Sequence, residues 1–537
     1  MNLRALGPRR FGWLFAAFVW WLLTLRFYHS FKLDTGFGGT TWGVADDVYI
    51  TADFARTLAN GEGPRWYSGA PKVEGFTSPL WVVALSILHL LPGFSDDRLG
   101  LYVLGLNLAL LGFGALTLWR CLQAVAEPRD GDRTVWWLAT IVLAFGAPAL
   151  CFWTTQGFEV ALVTLLALSI LRYALLPSER IPLKWLGFLT GLAFWSRMDG
   201  LLYCTAGVLI VIARVRDLRR LWVPAAIAIG MTLVLEAARY AYYGDLLPNT
   251  YYLKIVGWPL ERRWNAGLLQ NAHTLQICAL ALLPLCVPSF WRLGRPAVWI
   301  ACATFTYLVS LIYSTQNGGD SWFQVFGYDR FGAIGSAFLL FAISAILVSH
   351  IWRAWQLGVI MLWAVVLVIA PIVRAPNWDP EVLTDLVRLD RTALPKQGLE
   401  QLWSRYGKLL REVTEPGASI AVCPAGAIIY FSHRGGVDIL GKIDPYIARL
   451  PAMQETPPET RCWRAERPGH NKEDIIGQFE LRRPELSEQK PPRTRWSEYV
   501  GFRYGGLFFY ARRDAPHVLW HKITATEPVT DVERVGF

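Results

Sequence analysis

ARVRDLRRLW, residues 213–222, sets Arg214, Arg216, Arg219 and Arg220 between two apolar runs. Short cytoplasmic loops collect Lys and Arg, so this stretch belongs on the inner side of a membrane. Working backwards, GLLYCTAGVLIVIA (200–213) arrives from outside, and SRMDG (196–200) is an external turn. LKWLGFLTGLAFW (183–195) crosses from in to out, which leaves Arg172, Arg180 and Lys184 inside. The preceding span starts outside at Phe158, so CFWTTQGFE (151–159) is external. A span from Val135 puts Arg120, Arg129 and Arg133 inside, and the run 99–119 then begins outside. Arg4, Arg9 and Arg10 hold the N-terminus inside, so residues 31–98 form one external segment. Forward of Arg220, YYGDLLPNTYYLK (242–254) is outside, Arg292 and Arg295 are inside, NGGDSWFQVFGYDR (317–330) is outside and Arg353 is inside. The last span leaves near Arg374.

The expectation is a polytopic α-helical membrane protein of eleven spans, N-terminus in, with a C-terminal extracytoplasmic α/β domain. The boundaries are 1–375 for the membrane domain and 376–537 for the tail. Composition agrees: the chain is 53% hydrophobic and carries 26 Trp, too apolar for an ordinary soluble enzyme. The run FGWLFAAFVWWLLTL (11–25) has no small-residue cleavage site and reads as a first span, not a leader. Arg9-Arg10 reads as its inside anchor rather than a twin-arginine signal. The formal charge of +10 comes mostly from inner loops and excludes nucleic acid as the partner. Six of the eight Cys lie in or beside apolar runs; Cys423 and Cys462 lie in the tail, where a disulfide is open.

Polar signals gather on the outer side. DDVYITADFARTLANGEG (46–63) starts with two carboxylates, Asp46 and Asp47, and continues with Ile50, Phe54 and Leu58 at helical spacing. The reading is a surface helix whose N-terminal dipole favours ionised acids. Such acids accept a proton or hold a metal; the plainer alternative is a helix cap. GAPKVEGFTSPLW (69–81) carries Glu74, either a site acid or a solvated loop residue, ahead of a second surface helix, PLWVVALSILHLL (79–91). That run has thirteen residues, short for a crossing, and suits the interface. Glu159 stands at the external end of a span, where ionisable groups are costly. Arg197 and Asp199 share the tight turn SRMDG, as site residues or as a mutual pair. Asp245, Pro248, Asn249, Thr250, Tyr251, Tyr252 and Lys254 combine turn chemistry with aromatics and a cation. Asp320, Asp329 and Arg330 sit on a glycine-containing loop. In the tail, ASIAVC (418–423), AIIYFS (427–432) and GLFFYARR (506–513) read as strands, and 385–413 as helix around a Pro break. His433 and His470 read as ordinary polar residues. Walker A, GxSxG, HExxH and CxxC patterns are absent from the sequence.

DDVYITADFARTLANGEG, KVEGFTSPLW, WTTQGFE, SRMDG, YYGDLLPNTYYLK and GGDSW, in that order, resemble the GT-C membrane glycosyltransferases. The resemblance is nearest to the terminal arabinofuranosyltransferases of actinobacterial cell walls. It is more remote to protein O-mannosyltransferases and lipid A aminoarabinose transferases. GGVDILGKIDPYIAR (435–449) and RPGHNK (467–472) in the tail also look like family segments.

The resemblance implies the GT-C fold and a polyprenyl-phosphate sugar donor. Transfer to a glycan or glycolipid would take place at the outer face of the bacterial inner membrane. By it, Asp46 matches the base, Asp47 its neighbour and Glu74 a family acid. Asp199 stands where relatives often carry Pro-Glu after the Arg, and SWFQVFGYDR matches more loosely than its GGD.

The expected reaction is attack of an acceptor hydroxyl on the anomeric carbon through an oxocarbenium-like transition state. A carboxylate removes the proton, and Arg197, Lys254 or Arg330 faces the leaving phosphate. No cofactor is required by the motifs. A divalent cation at the acidic pair is open, but no His cluster supports one. The rival readings are a flippase for a lipid-linked sugar and a non-catalytic envelope scaffold. The first would need paired charges deep in spans and repeated halves; the second leaves the acidic pair unexplained.

Overall fold

The computed structural model describes residues 8–29, 32–36, 40–126, 133–215, 217–269, 271, 283–286, 288–319, 330–349, 358, 397–453, 468–523 and 526–528. It divides into two compact units. The first comprises 1–30, 103–238 and 260–393; the second comprises 31–102, 239–259 and 394–537. Residues 31–102 therefore group with the tail rather than with the helices that flank them in sequence.

The first unit is helical. Among the described residues, six helices of the chain are long and apolar enough to cross a membrane; Val160–Ala174 and Thr205–Arg214 are apolar but shorter. Eleven spans were expected, and the one following Arg353 falls almost wholly outside the described residues. Arg330–Val348 is the most enclosed, buried on all its faces. It packs on Arg295–Gln316 and Arg133–Phe145. Small residues set the spacing: a Cβ on Gly335 would lie 2.1 Å from the Ser310 hydroxyl, so these helices approach through glycine. The apolar run 133–155 is broken at Gly146-Ala147, and Pro148 starts the next helix, Pro148–Thr155, the position that tolerates a missing N–H.

The second unit contains the two short helices Asp46–Ala59 and Pro79–His89. Pro79 opens its helix at the first turn, where its missing N–H costs nothing. Asp46–Ala59 differs from a one-faced surface helix. Ile50 and Phe54 are buried as the stripe required, Asp46 and Asp53 beside the stripe are buried with them, and Tyr49 and Ala52 on the opposite side are buried too.

A hairpin, β1 (Lys32–Asp34) and β2 (Thr40–Trp42), precedes these helices. The tail supplies β3 (Ser419–Val422), β4 (Gly435–Asp438), β5 (Leu486–Ser487), β6 (Tyr499–Tyr504), β7 (Leu507–Arg512) and β8 (Thr526–Pro528). They form one sheet in the order β4-β3-β5-β7-β6-β8. β3 runs parallel to β4 and β5, and the other pairs are antiparallel. The β6–β7 turn is Gly505-Gly506, both at positive φ, as a tight two-residue hairpin requires. Ala421, Val437, Ile439, Phe479, Tyr499 and Tyr510 close the core over it. Strands at 418–423 and 506–513 stand as expected.

AIIYFS does not: it is the helix Ala427–Ser432. Every one of its residues is buried. An all-apolar hexamer has no periodicity to tell strand from helix, and the local amides are claimed by a side chain described below. Helix Gln397–Glu412 occupies the expected helical stretch, whose earlier part lies outside the described residues. Cys423 is disulfide-bonded; its partner is outside the described residues, as is Cys462.

Candidate active site

Asp46 and Asp47 open the helix Asp46–Ala59, where the peptide dipole favours negative charge, but their environments diverge. Asp46 is 7% exposed. Its carboxylate accepts the amides of Ala427 at 2.7 Å and Gly426 at 3.3 Å. It thereby caps the buried helix Ala427–Ser432, and its own amide donates to Glu400 at 3.1 Å. Burial pushes the Asp46 carboxyl up to about 6; Lys442 and the two amides pull against that. Asp47 keeps 47% of its side chain exposed and forms an ion pair with Lys442. Burial works to lower the Lys442 ammonium, and the charges of Asp47 and Asp46 outweigh it, so its pKa is raised.

Lys442 is held by a loop built for the purpose. The buried Asp438 carboxylate accepts from Leu440, Gly441 and Ile443 amides at 2.9, 3.1 and 2.6 Å. Burial still pushes that carboxyl up to about 6. The Asn249 side-chain amide donates to the carbonyls of Gly441 at 2.9 Å and Lys442 at 3.0 Å. The Asn249 main-chain amide in turn donates to the Glu74 carbonyl at 2.9 Å. Glu74 is not a solvated loop residue. It is 4% exposed and takes the Arg239 guanidinium in two contacts, 2.6 and 3.3 Å. Glu74, Asn249, Lys442 and Asp47 thus form one chain of contacts.

Tyr252 donates its hydroxyl to Asp245 at 2.5 Å, and the Arg449 guanidinium lies 3.8 Å from its ring centre. Lys254 ends the helix Asn249–Lys254 and runs over Gly469, where an added Cβ would lie 3.3 Å from its Cε. Lys472, 1% exposed, donates to the carbonyls of Tyr252, Val256 and Ala448 at 3.0, 2.6 and 2.7 Å. It neutralises a helix C-terminus, and burial brings its ammonium down to about 8.

In the first unit, four expected residues come together. Arg197 donates to Glu159 at 2.5 Å and to both oxygens of Asp199 at 2.7 and 2.8 Å. All three are buried to within a few per cent. Burial works to raise the Asp199 carboxyl, but Arg197 outweighs it and holds it below the usual range. Arg330 lies over Phe158 at 4.6 Å and adds to the field at Asp199. Asp320 and Asp329 lie outside the described residues. Among the described residues, no group of three or more His, Cys, Asp and Glu is placed to hold a metal ion.

Sequence reading missed Lys442, Lys472, Arg239 and Glu400. Lys442 and Lys472 were legible only as members of GGVDILGKIDPYIAR and RPGHNK. Arg239 lies just before YYGDLLPNTYYLK, in the last turns of the helix Trp222–Tyr243, where no local signal sets it apart.

Residues 393–496 match a family model described as a domain of unknown function, DUF8728. No curated protein sequence matches the chain. Among solved structures, the apo form of the Archaeoglobus fulgidus oligosaccharyltransferase aligns at 12% identity with a TM-score of 0.40. The alignment covers 80% of this chain and 65%, just under two thirds, of that one. The archaeal oligosaccharyltransferase AglB from Archaeoglobus fulgidus, in complex with an inhibitory peptide and a dolichol-phosphate, aligns at 12% identity with a TM-score of 0.47. It covers 94% of this chain and 74% of that one.

Proposed function

We propose that the protein is a GT-C integral membrane glycosyltransferase that moves a sugar from polyprenyl phosphate to a hydroxyl of a cell-envelope glycan or glycolipid. The leading donor is an arabinofuranose. The place of reaction in this reading is the outer face of the bacterial inner membrane, with the tail on the same side. The observation that carries it is the division of labour in the acidic pair, one carboxylate pinned and one open beside a lysine. The ordered external segments supply the reaction class.

In this reading the acceptor hydroxyl attacks the anomeric carbon, the C–O bond to phosphate breaks, and polyprenyl phosphate leaves with that electron pair. The proton goes to a carboxylate of the pair. Asp47 is the member a substrate can reach; Asp46, bound by two amides, fixes the backbone that presents it. Lys442 pairs with Asp47 and fixes where its carboxylate stands. Lys254 is the proposed cation for the departing phosphate. Arg197, filled by two carboxylates, is assigned to holding Glu159 and Asp199 in place, and Arg330 is the cation of its unit proposed to face an anionic group. One displacement inverts the anomeric centre.

The test is transfer by purified protein from a panel of polyprenyl-phosphate sugars. Asp47→Asn is expected to cut turnover by about 10²–10⁴-fold with donor binding retained. Loss in Asp46→Asn with full activity in Asp47→Asn would move the base to Asp46. Wild-type rates in both variants would sink the proposal.

A further inference from the structure

We propose that the first unit carries a binding site for an anionic phospholipid, separate from the acidic pair and independent of the proposed reaction. Two cavities lie along the same pair of helices, Leu183–Ser196 and Trp222–Tyr243. The first, about 640 Å³, is lined by Lys184, Arg219, Arg220, Asp217, Trp185 and Trp222. The second, about 240 Å³, is lined by apolar or small side chains, among them Ile170, Leu186, Thr190, Val211, Ala225 and Ala228. Lys184 and Trp185 directly precede Leu186 on one helix, and Trp222 and Val223 directly precede Pro224 and Ala225 on the other. The charged cavity and the apolar one therefore adjoin along both helices, within a single helical turn of each other.

Each feature selects the same ligand. Three cations face one carboxylate, and Asp217 already accepts the Arg219 amide at 3.1 Å, so the cavity favours an anion. Trp185 and Trp222 are 60% and 68% exposed, the arrangement of rings that sit at headgroup level. Below them the helices meet at Gly187, where a Cβ would lie 2.4 Å from the Pro224 carbonyl oxygen. The cleft beside that contact offers no charge and suits a hydrocarbon chain. A soluble phosphate would use the cations and leave the cleft empty; a zwitterionic lipid would bring its own cation against three others. A phosphate-bearing lipid without a compensating amine fits both parts.

Native mass spectrometry of the full-length protein in neutral detergent tests this, with phosphatidylglycerol or phosphatidylcholine added at equal concentration. Phosphatidylglycerol is expected to remain bound and phosphatidylcholine to dissociate. Lys184→Ala, Arg219→Ala and Arg220→Ala each weaken retention by about five-fold, while the lipid-free unfolding temperature stays at the wild-type value. Ala228→Phe, which fills the cleft and keeps every cation, also weakens it. Equal retention of both lipids overturns the proposal, as does full retention by the triple alanine variant or by Ala228→Phe. Displacement of the lipid by sn-glycerol 3-phosphate at the same concentration would reduce the site to a soluble-anion site and overturn it too.

Discussion

Glu488 shows what burial does to single acids in the second unit. It is 4% exposed, accepts the Cys423 amide at 2.8 Å, and burial pushes its carboxyl up to about 8. A carboxyl raised on folding favours the protonated form. Its contribution to stability is complete below its ordinary value of 4.5 and is lost as pH rises through about 8. Asp46 and Asp438, raised to about 6, finish the same loss earlier. Glu488 alone of the three therefore accounts for the decline between pH 6 and 8. Glu488→Gln is expected to flatten the unfolding temperature across that window and raise it at pH 8. An unchanged slope in thermal scans would refute this. The sequence displayed Asp46 and Asp47 openly, because adjacent acids ahead of a helical stripe stand out. Lys442, 395 residues away from Asp47, was not legible, because nothing local to a lysine announces an ion pair closed by tertiary folding.

Elements are held in this protein by side chains that arrive from far along the chain. Helix Ala427–Ser432 starts where Asp46 takes its first amides, and Gly426 makes room for that contact. A Cβ there would lie 1.9 Å from the Asp46 carbonyl oxygen, a backbone atom that cannot swing aside. Gly426→Ala is expected to cost about 1–3 kcal/mol, read as a lowered unfolding temperature; a wild-type temperature would show that the contact yields. The same contact explains why AIIYFS misreads as a strand. Its composition suits either state, and the deciding carboxylate lies outside any local window. By contrast Asp46–Ala59, Pro79–His89 and the strands β3 and β7 were legible, since stripe, proline start and alternation are local signals. Arg197 with Asp199 was legible as a pair two residues apart; its second partner, Glu159, needed the fold.

At the scale of the molecule, the division into two units departs from the linear split at residue 375. Segments 31–102 and 239–259 belong with 394–537. Tyr49 packs on Tyr430 and Phe431 with ring centres 5.1 and 5.2 Å apart, and Arg56 donates to the Tyr430 carbonyl at 2.8 Å. A chain ending at residue 393 would leave these groups without their cover. Hydrogen exchange over 46–59 is expected to be slow in the full chain and fast in that truncation. Retained protection would mean that residues 46–59 fold without the tail. Basic loops and apolar runs made the helical unit readable, because membrane crossing imposes both length and charge. The grouping of discontinuous segments was not readable, because no single segment carries the record of its partners.

The amide that Asp46 receives from Ala427 spans 381 residues, and that interval has a meaning in time. Ribosomes emit roughly 5–20 residues per second, so the acidic segment exists for about 20–75 s before its partner has been made. During that wait Phe54 already has Phe76 of its own segment to pack on, while Tyr49 lacks the Tyr430 and Phe431 rings that cover it in the fold. A premature stop ahead of Gly426 would leave the Asp46 carboxylate without the two amides that it accepts from Gly426 and Ala427.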